Sequence, residues 1–357
     1  MPRNVFALRR SFAVCFAASA TFLIAGAAFA QSGPPPLDRL HHAQLLTTLD
    51  SVEMKPWHLQ LAVDLNDTKG LPQEKGTIDE WWAAPNRYRI SYAFPSYSAK
   101  VVAIDGKMYR TSGQPGPLTI YEIILDQVLH PITPPREAGE YPPELRKVPE
   151  GKTSLDCLLL DPHMRFVAHP AIGVFPTYCL QQGSDSLVVS FDAGIGTMLR
   201  SKIGHFLTKD IPVDLSLTAG KFTTATAHIT ALSSVPAVSP DLFRIDGLTA
   251  VDPGPVQVKG STMAGMLLET VQPVYPDTAK RDRVAGVVTL NAVIGRDGHV
   301  RSLRLVDSPD SALALSAMDS VRQRTYKPYV VNGIPTEVVT TITVNYAVSG
   351  NLNSGPN

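Results

Sequence analysis

Charge is scarce and balanced in this chain. Only 18% of its 357 residues are charged, and 32 Lys and Arg face 32 Asp and Glu. No basic field or stripe is present to hold a phosphate backbone, which excludes nucleic acid as a partner. Catalytic signatures are missing as well. There is no Gly-x-Ser-x-Gly elbow and no phosphate-binding loop, and Gly194-Ile195-Gly196 lacks the third glycine and the strand-to-helix setting of a dinucleotide site. No catalytic residue and no cofactor are assigned, and the chain is not read as an enzyme. Metal patterns are absent too. Asp161, His163 and His169 with Cys157 fit no tight Cys/His zinc spacing, and His41 and His42 point about 100° apart on a helix.

Long apolar runs are confined to the first thirty residues. Arg3, Arg9 and Arg10 precede an uncharged run from Ser11 to Ala30 that ends in Ala28-Phe29-Ala30 before Gln31. A positive start, an apolar middle and a small-x-small end form the pattern that a signal peptidase reads. Residues 1–30 are therefore expected to be a cleaved signal peptide for export; retention as an inner-membrane anchor is the alternative, because about 20 residues can span a bilayer. Cleavage would remove three positive charges and no negative ones, leaving a nearly neutral mature chain.

Cysteine is rare, and of the three only Cys157 and Cys179 follow the leader, which contains Cys15. In an oxidising compartment two cysteines suggest one disulfide, worth on the order of 3 kcal/mol by loop entropy; two buried thiols are the alternative.

What remains is globular, with 44% hydrophobic residues punctuated by 30 Pro and 25 Gly. Its length fits two domains. After the stiff spacer Gly33-Pro34-Pro35-Pro36, the helical period of residues 37–49 gives way at Trp57 to alternation, with Leu59, Leu61, Val63 and Leu65 on one face. Strand patterns follow at 76–82, 87–93, 99–104 and 107–111, with a tight turn at Asp105-Gly106. A helix over 118–129 interrupts them, and six further strands run from 155 to 232. Trp57, Trp81, Trp82, Tyr88, Tyr92 and Tyr97 either pack this core or line a ligand groove. We divide the mature chain into a mostly antiparallel β domain at 37–246, a Pro/Gly linker at 247–266 and a small α/β domain at 267–350. The last domain reads as a short helix at 277–283, a hairpin turning at Gly295-Arg296-Asp297-Gly298, a helix opening at Ser308-Pro309-Asp310, and closing strands. The fold class is α+β.

The second domain carries a resemblance. Gln272-Pro273-Val274-Tyr275-Pro276, then Ala279 and Gly286-Val287-Val288, resemble the start of the TonB C-terminal domain. Ile294 to Val300 resembles its hairpin, and Tyr326-Lys327-Pro328 with Asn332-Gly333-Ile334-Pro335 resembles its closing segment. Together they cover residues 268–348 and imply a three-stranded antiparallel sheet with two helices. They also imply a place in the envelope of a Gram-negative bacterium, docking on an outer-membrane TonB-dependent receptor in energy-dependent nutrient uptake. Coupling to inner-membrane motor proteins is in doubt, because Ser11 to Cys15 holds no His and a folded domain replaces the family's Pro-rich spacer.

Docking would add an extended receptor peptide to an edge strand. The last strand has Thr341, Thr343 and Asn345 on one face and Ile342, Val344 and Tyr346 on the other, and we take the first three as partner-binding. Gln272, Pro273, Tyr275 and Pro276 either contact the partner too or form a rigid turn. An open edge also permits an edge-paired homodimer.

A fainter resemblance, in Gly76-Thr77-Ile78, Trp82, Pro85 to Arg89 and Val102 to Lys107, is to the LolA-like lipoprotein carriers. It implies an unclosed β-barrel with an apolar concave face for acyl chains. The alternative function is thus a periplasmic lipid or lipoprotein carrier with a TonB-like localisation domain.

Overall fold

The structure, a computed structural model, describes residues 34–114, 116–132, 143–151, 153–160, 172–251, 254–331 and 333–347. The leader, Cys15 and the Asp161, His163 and His169 group lie outside these residues. Among the described residues no helix is long and apolar enough to cross a membrane.

Helix α1 (Pro36–Thr47) has Pro in its first turn, where a missing N–H leaves no bond unmade. The meander β1 (Trp57–Asn66), β2 (Pro72–Ala84), β3 (Arg87–Ala93), β4 (Ser98–Ile104) and β5 (Lys107–Thr111) follows. Asp105 and Gly106, both at positive φ, make the tight turn between its last two strands. After α2 (Thr119–Leu129) come β6 (Glu144–Glu150), β7 (Thr153–Leu159), β8 (Thr177–Gln181) and β9 (Leu187–Asp192). Three longer strands, β10 (Gly196–Phe206), β11 (Lys209–Ala219) and β12 (Phe222–Ser234), complete the run. With β13 (Leu248–Val251) they form one thirteen-stranded sheet ordered β13-β5-β4-β3-β2-β1-β12-β11-β10-β9-β8-β7-β6.

The middle of this sheet has one apolar face. Residues of β4, β3, β2, β1, β12, β11 and β10 join Tyr121, Ile123, Ile124, Leu125, Val128 and Leu129 of α2 in a single core. Seven strands laid flat would span about 29 Å, wider than a helix of about 10–12 Å, so loop residues such as Leu49, Met54, Phe94 and Tyr97 fill the core beside α2. Trp57, Trp82, Tyr92 and Tyr97 are buried in this core, whereas Trp81 stacks on His58 on the other face, with centroids 3.8 Å apart. The far strands instead pack on α1, where Leu40 and Ala43 meet Leu158, Leu160, Tyr178 and Leu180.

Cys157 and Cys179 lie directly opposite each other on β7 and β8 and are joined by a disulfide. Strand β6 has no strand pattern in sequence, because Glu, Arg, Lys and Pro149 interrupt it. Among the described residues it forms at the end of the sheet, with no strand paired on its outer side, where a Pro is tolerated.

Residues read as a linker are built into the fold. Strand β13 pairs with β5, then β14 (Val256–Gln257) lies parallel to the last strand, and α3 (Gly260–Ala264) and β15 (Leu267–Glu269) follow. Their Pro and Gly shorten these elements without preventing pairing. Next come α4 (Asp277–Arg281), β16 (Gly286–Ile294), β17 (Val300–Asp307) and α5 (Ser311–Arg322). The cap of α5 is Asp310, not Ser308. Its carboxylate accepts from the Ala312 and Leu313 amides at 2.7 and 3.2 Å, while the Ser308 hydroxyl turns back to the Asp310 carbonyl. Short pairs follow, β18 (Thr325–Tyr326) with β15 and β19 (Val330–Val331) with β20 (Ile334–Pro335), and then β21 (Val338–Tyr346).

The second sheet runs β14-β21-β16-β17, so three antiparallel strands gain a two-residue parallel neighbour. One face packs Val288, Leu290, Ile342 and Val344 against Leu313, Ala317 and Val321 of α5.

Candidate functional site

Two features of the second sheet can act chemically: the outer side of β21, and the seam where the β16–β17 hairpin meets α2.

On the outer side of β21, Val256 N–H donates to Glu337 and Val258 N–H to Val339, each at 2.9 Å. These bonds establish that odd-numbered residues of β21 aim their peptide groups away from β16. The next outward group, at Thr341, is approached by Gly260 so closely that a Cβ there would collide with the Thr341 carbonyl. Beyond it, Thr343 and Asn345 have no strand neighbour on that side among the described residues. The free edge is therefore shorter than the sequence suggests, because β14 and α3 cover its first half. Thr341, Thr343 and Asn345 also expose their side chains, while Val338, Thr340, Ile342, Val344 and Tyr346 are buried.

The 272–276 stretch is fixed to the domain. Ser320 and Ser316 of α5 donate their hydroxyls to the Val271 and Val274 carbonyls. Tyr275 donates to the Val284 carbonyl at 2.6 Å, and its ring meets Tyr346 edge-on with centroids 5.5 Å apart. Tyr275 thus sits beside the end of β21, half-buried, with Pro273 and Pro276 half-buried and Gln272 exposed. The structure places Tyr275 against Tyr346 and the chain leading into β16; among the described residues Gln272 makes no side-chain hydrogen bond.

The seam is ionic, and sequence reading missed it. Asp297, at the tip of the β16–β17 turn, accepts from the Thr119 amide at 2.7 Å and hydroxyl at 2.6 Å. Arg296 reaches Glu122 at 3.2 Å. Arg301 joins Asp126 and Glu337, each at 2.7 Å, with Glu122 at 3.5 Å. Burial pushes the Glu122 carboxyl up to about 7 against the pull of both guanidiniums. Asp297 is held down at about 2 by the hydrogen bonds from His299 and Thr119, which outweigh burial. The Asp126 and Asp50 carboxylates lift His130 to about 10 against its desolvation. Glu80, buried on the α2-facing side of β2, is driven well above the carboxylate range by desolvation and by Asp50 and Asp126, and its Oε2 has no hydrogen-bond partner. A Glu between Ile78 and Trp82 at an inward position is the one signal that could have revealed this group in sequence.

Glu122 gives a pH prediction. Its folded value lies above its ordinary 4.5, so the folded state holds the proton more tightly and loses stability as pH rises from about 4.5 through 7. Glu122→Gln is expected to remove that slope, so that relative to wild type the variant gains about 3 kcal/mol between pH 4.5 and 8. Asp297 acts in a separate window, because its stabilisation is present above its ordinary 3.8 and disappears as pH falls toward about 2. Urea titrations of both proteins at the two pH values check this; parallel profiles would refute the assignment.

Among the described residues no group of three His, Cys, Asp or Glu is placed to hold a metal.

Comparison with curated proteins finds no match. Among solved structures, a LolA superfamily protein from Nitrosomonas europaea is similar at TM-score 0.39 and 9% identity, over 60% of this chain and 99% of that one. A DUF1329 family protein from Desulfovibrio piger gives TM-score 0.39 and 8% identity over 60% and 98%. Residues 271–348, which run from the 272–276 stretch through β21, match the family model of the Gram-negative bacterial TonB protein C-terminal, and this segment of the chain is similar to that domain.

Proposed function

We propose that this is a non-enzymatic protein of the Gram-negative cell envelope whose C-terminal domain captures an extended peptide of an outer-membrane TonB-dependent receptor. The observation that supports this most is the open main-chain edge at Thr343 and Asn345 inside a segment matched by the TonB C-terminal model. A peptide added there would bond to outward N–H and C=O groups, with the Thr and Asn side chains and Tyr275 giving selectivity.

The outward direction of Thr343 supplies the test. Thr343→Pro deletes a donor that β16 does not use, so the domain keeps its ladder while the edge loses its first free N–H. Binding of peptides tiled across the periplasm-facing segments of TonB-dependent receptors is expected to fall at least about tenfold, with circular dichroism unchanged. Unchanged affinity in a folded variant would sink the reading.

A second reading, a carrier of lipid or lipoprotein, is favoured by one observation: among the described residues, α2 is the one helix packed on the apolar face of the middle strands of the large sheet.

A further inference from the structure

Helix α2 does not complete its own N-terminus. Leu118 at its cap offers no side-chain acceptor, and the Thr119 amide is satisfied by Asp297 of the distant β16–β17 turn. At eleven residues α2 is shorter than the roughly 12–15 needed for marginal helicity alone, so it depends on its surroundings. Those surroundings divide by face. Tyr121, Ile124, Leu125 and Val128 enter the sheet core, while Thr119, Glu122 and Asp126, spaced three and four apart, form one stripe that meets the hairpin. Gly295 at the hairpin tip lies so near the Thr119 hydroxyl that no side chain fits between them.

We propose that the TonB-like domain is the lock of a closed apolar cradle: its hairpin clamps α2 through Asp297, Arg296 and Arg301, and releasing the clamp opens the sheet face beneath to a long acyl chain. A ligand with one polar group suits the place, because the buried Glu80 carboxyl leaves an oxygen unpartnered on that face. The ligand class rests on the carrier reading; the clamp does not, and it is independent of partner capture at β21.

The test uses the full chain. Asp297→Ala and Arg301→Ala are expected to speed amide hydrogen exchange of residues 121–129 at least about tenfold, with β1 and β16 amides unchanged, and to raise affinity for cis-parinaric acid, a fluorescent fatty acid, several-fold. Arg304→Ala is the control: Arg304 lies on β17 as Arg301 does but pairs with Asp192 of β9 at 3.0 Å, not with α2, so both readouts should stay at wild type. Thr343→Pro should also leave both unchanged, which separates this proposal from the binding edge. If the alanine variants fail to fold, Arg301→Lys keeps the charge without the fork and should give intermediate exchange. Wild-type exchange in α2, acceleration spread equally over all elements, the same effect from Arg304→Ala, or faster exchange without tighter probe binding would each overturn the proposal.

Discussion

Replacing Trp57 by alanine is expected to lower stability by about 4 kcal/mol, within the range for a fully buried aromatic whose cavity cannot collapse. Trp57 is wholly buried on β1, and its ring lies parallel to that of Trp82 on β2 with centroids 5.6 Å apart. Its indole N–H donates to the Leu49 carbonyl at 3.1 Å, and the Leu49 amide donates in turn to Leu129 at the end of α2, at 2.6 Å. Truncation therefore removes apolar contact, orphans a buried carbonyl and frees the strap that holds the C-terminal end of the helix. Trp57→Phe keeps most of the volume and should cost less than half as much. Urea unfolding followed by the fluorescence of Trp81 and Trp82 measures both. A loss below about 1 kcal/mol for Trp57→Ala would mean that the core closes over the gap.

The second large effect concerns the disulfide. Cys157 and Cys179 close a sequence separation of 22 residues, so removing the link with Cys157→Ala and Cys179→Ala is expected to lower stability by about 3 kcal/mol through the greater freedom of the unfolded chain. For a domain of this size that corresponds to a fall in Tm of roughly 5–10 °C. Both residues are fully buried, so dithiothreitol should leave the folded protein unreduced and act only when denaturant opens the strands. Calorimetry of the double variant, with thiol counting before and after unfolding, gives both numbers. Rapid reduction of the native protein would show that β7 and β8 open on their own.

The parts of the fold written in local pattern were legible. Alternation at Trp57 to Leu65, the Asp105-Gly106 turn and each separate motif between Gln272 and Pro335 lie within a few residues of chain, and the structure places strands and a hairpin there, in a segment that matches the TonB C-terminal model. Faces on β21 were legible for the same reason, since a period of two dictates which side chains share a side. The extent of its free edge was not, because the strand that covers half of it comes from residues chosen for turns. The seam was hidden more thoroughly. Glu122 and Asp126 at helical spacing look like a solvated stripe, and their partners Arg296 and Arg301 are 174 and 175 positions away. Nothing local distinguishes an acidic stripe that faces water from one that faces arginines. Glu80 differs, because a charge in an apolar alternation is a local contradiction that burial later explains.

The placement of β1 sets the order in which the molecule can assemble. Strand β1 lies between β2 and β12, with Trp57 opposite Ser234, so the seam at the middle of the large sheet joins the beginning of the domain to its end. As the chain emerges, the meander from β1 to β5 stands with an open, apolar first strand until residue 234 is available, and loop closure over that distance must precede any reward from the contacts. Folding is therefore expected to be slow and to finish at this seam, and until it does the strand made first presents the surface most open to aggregation.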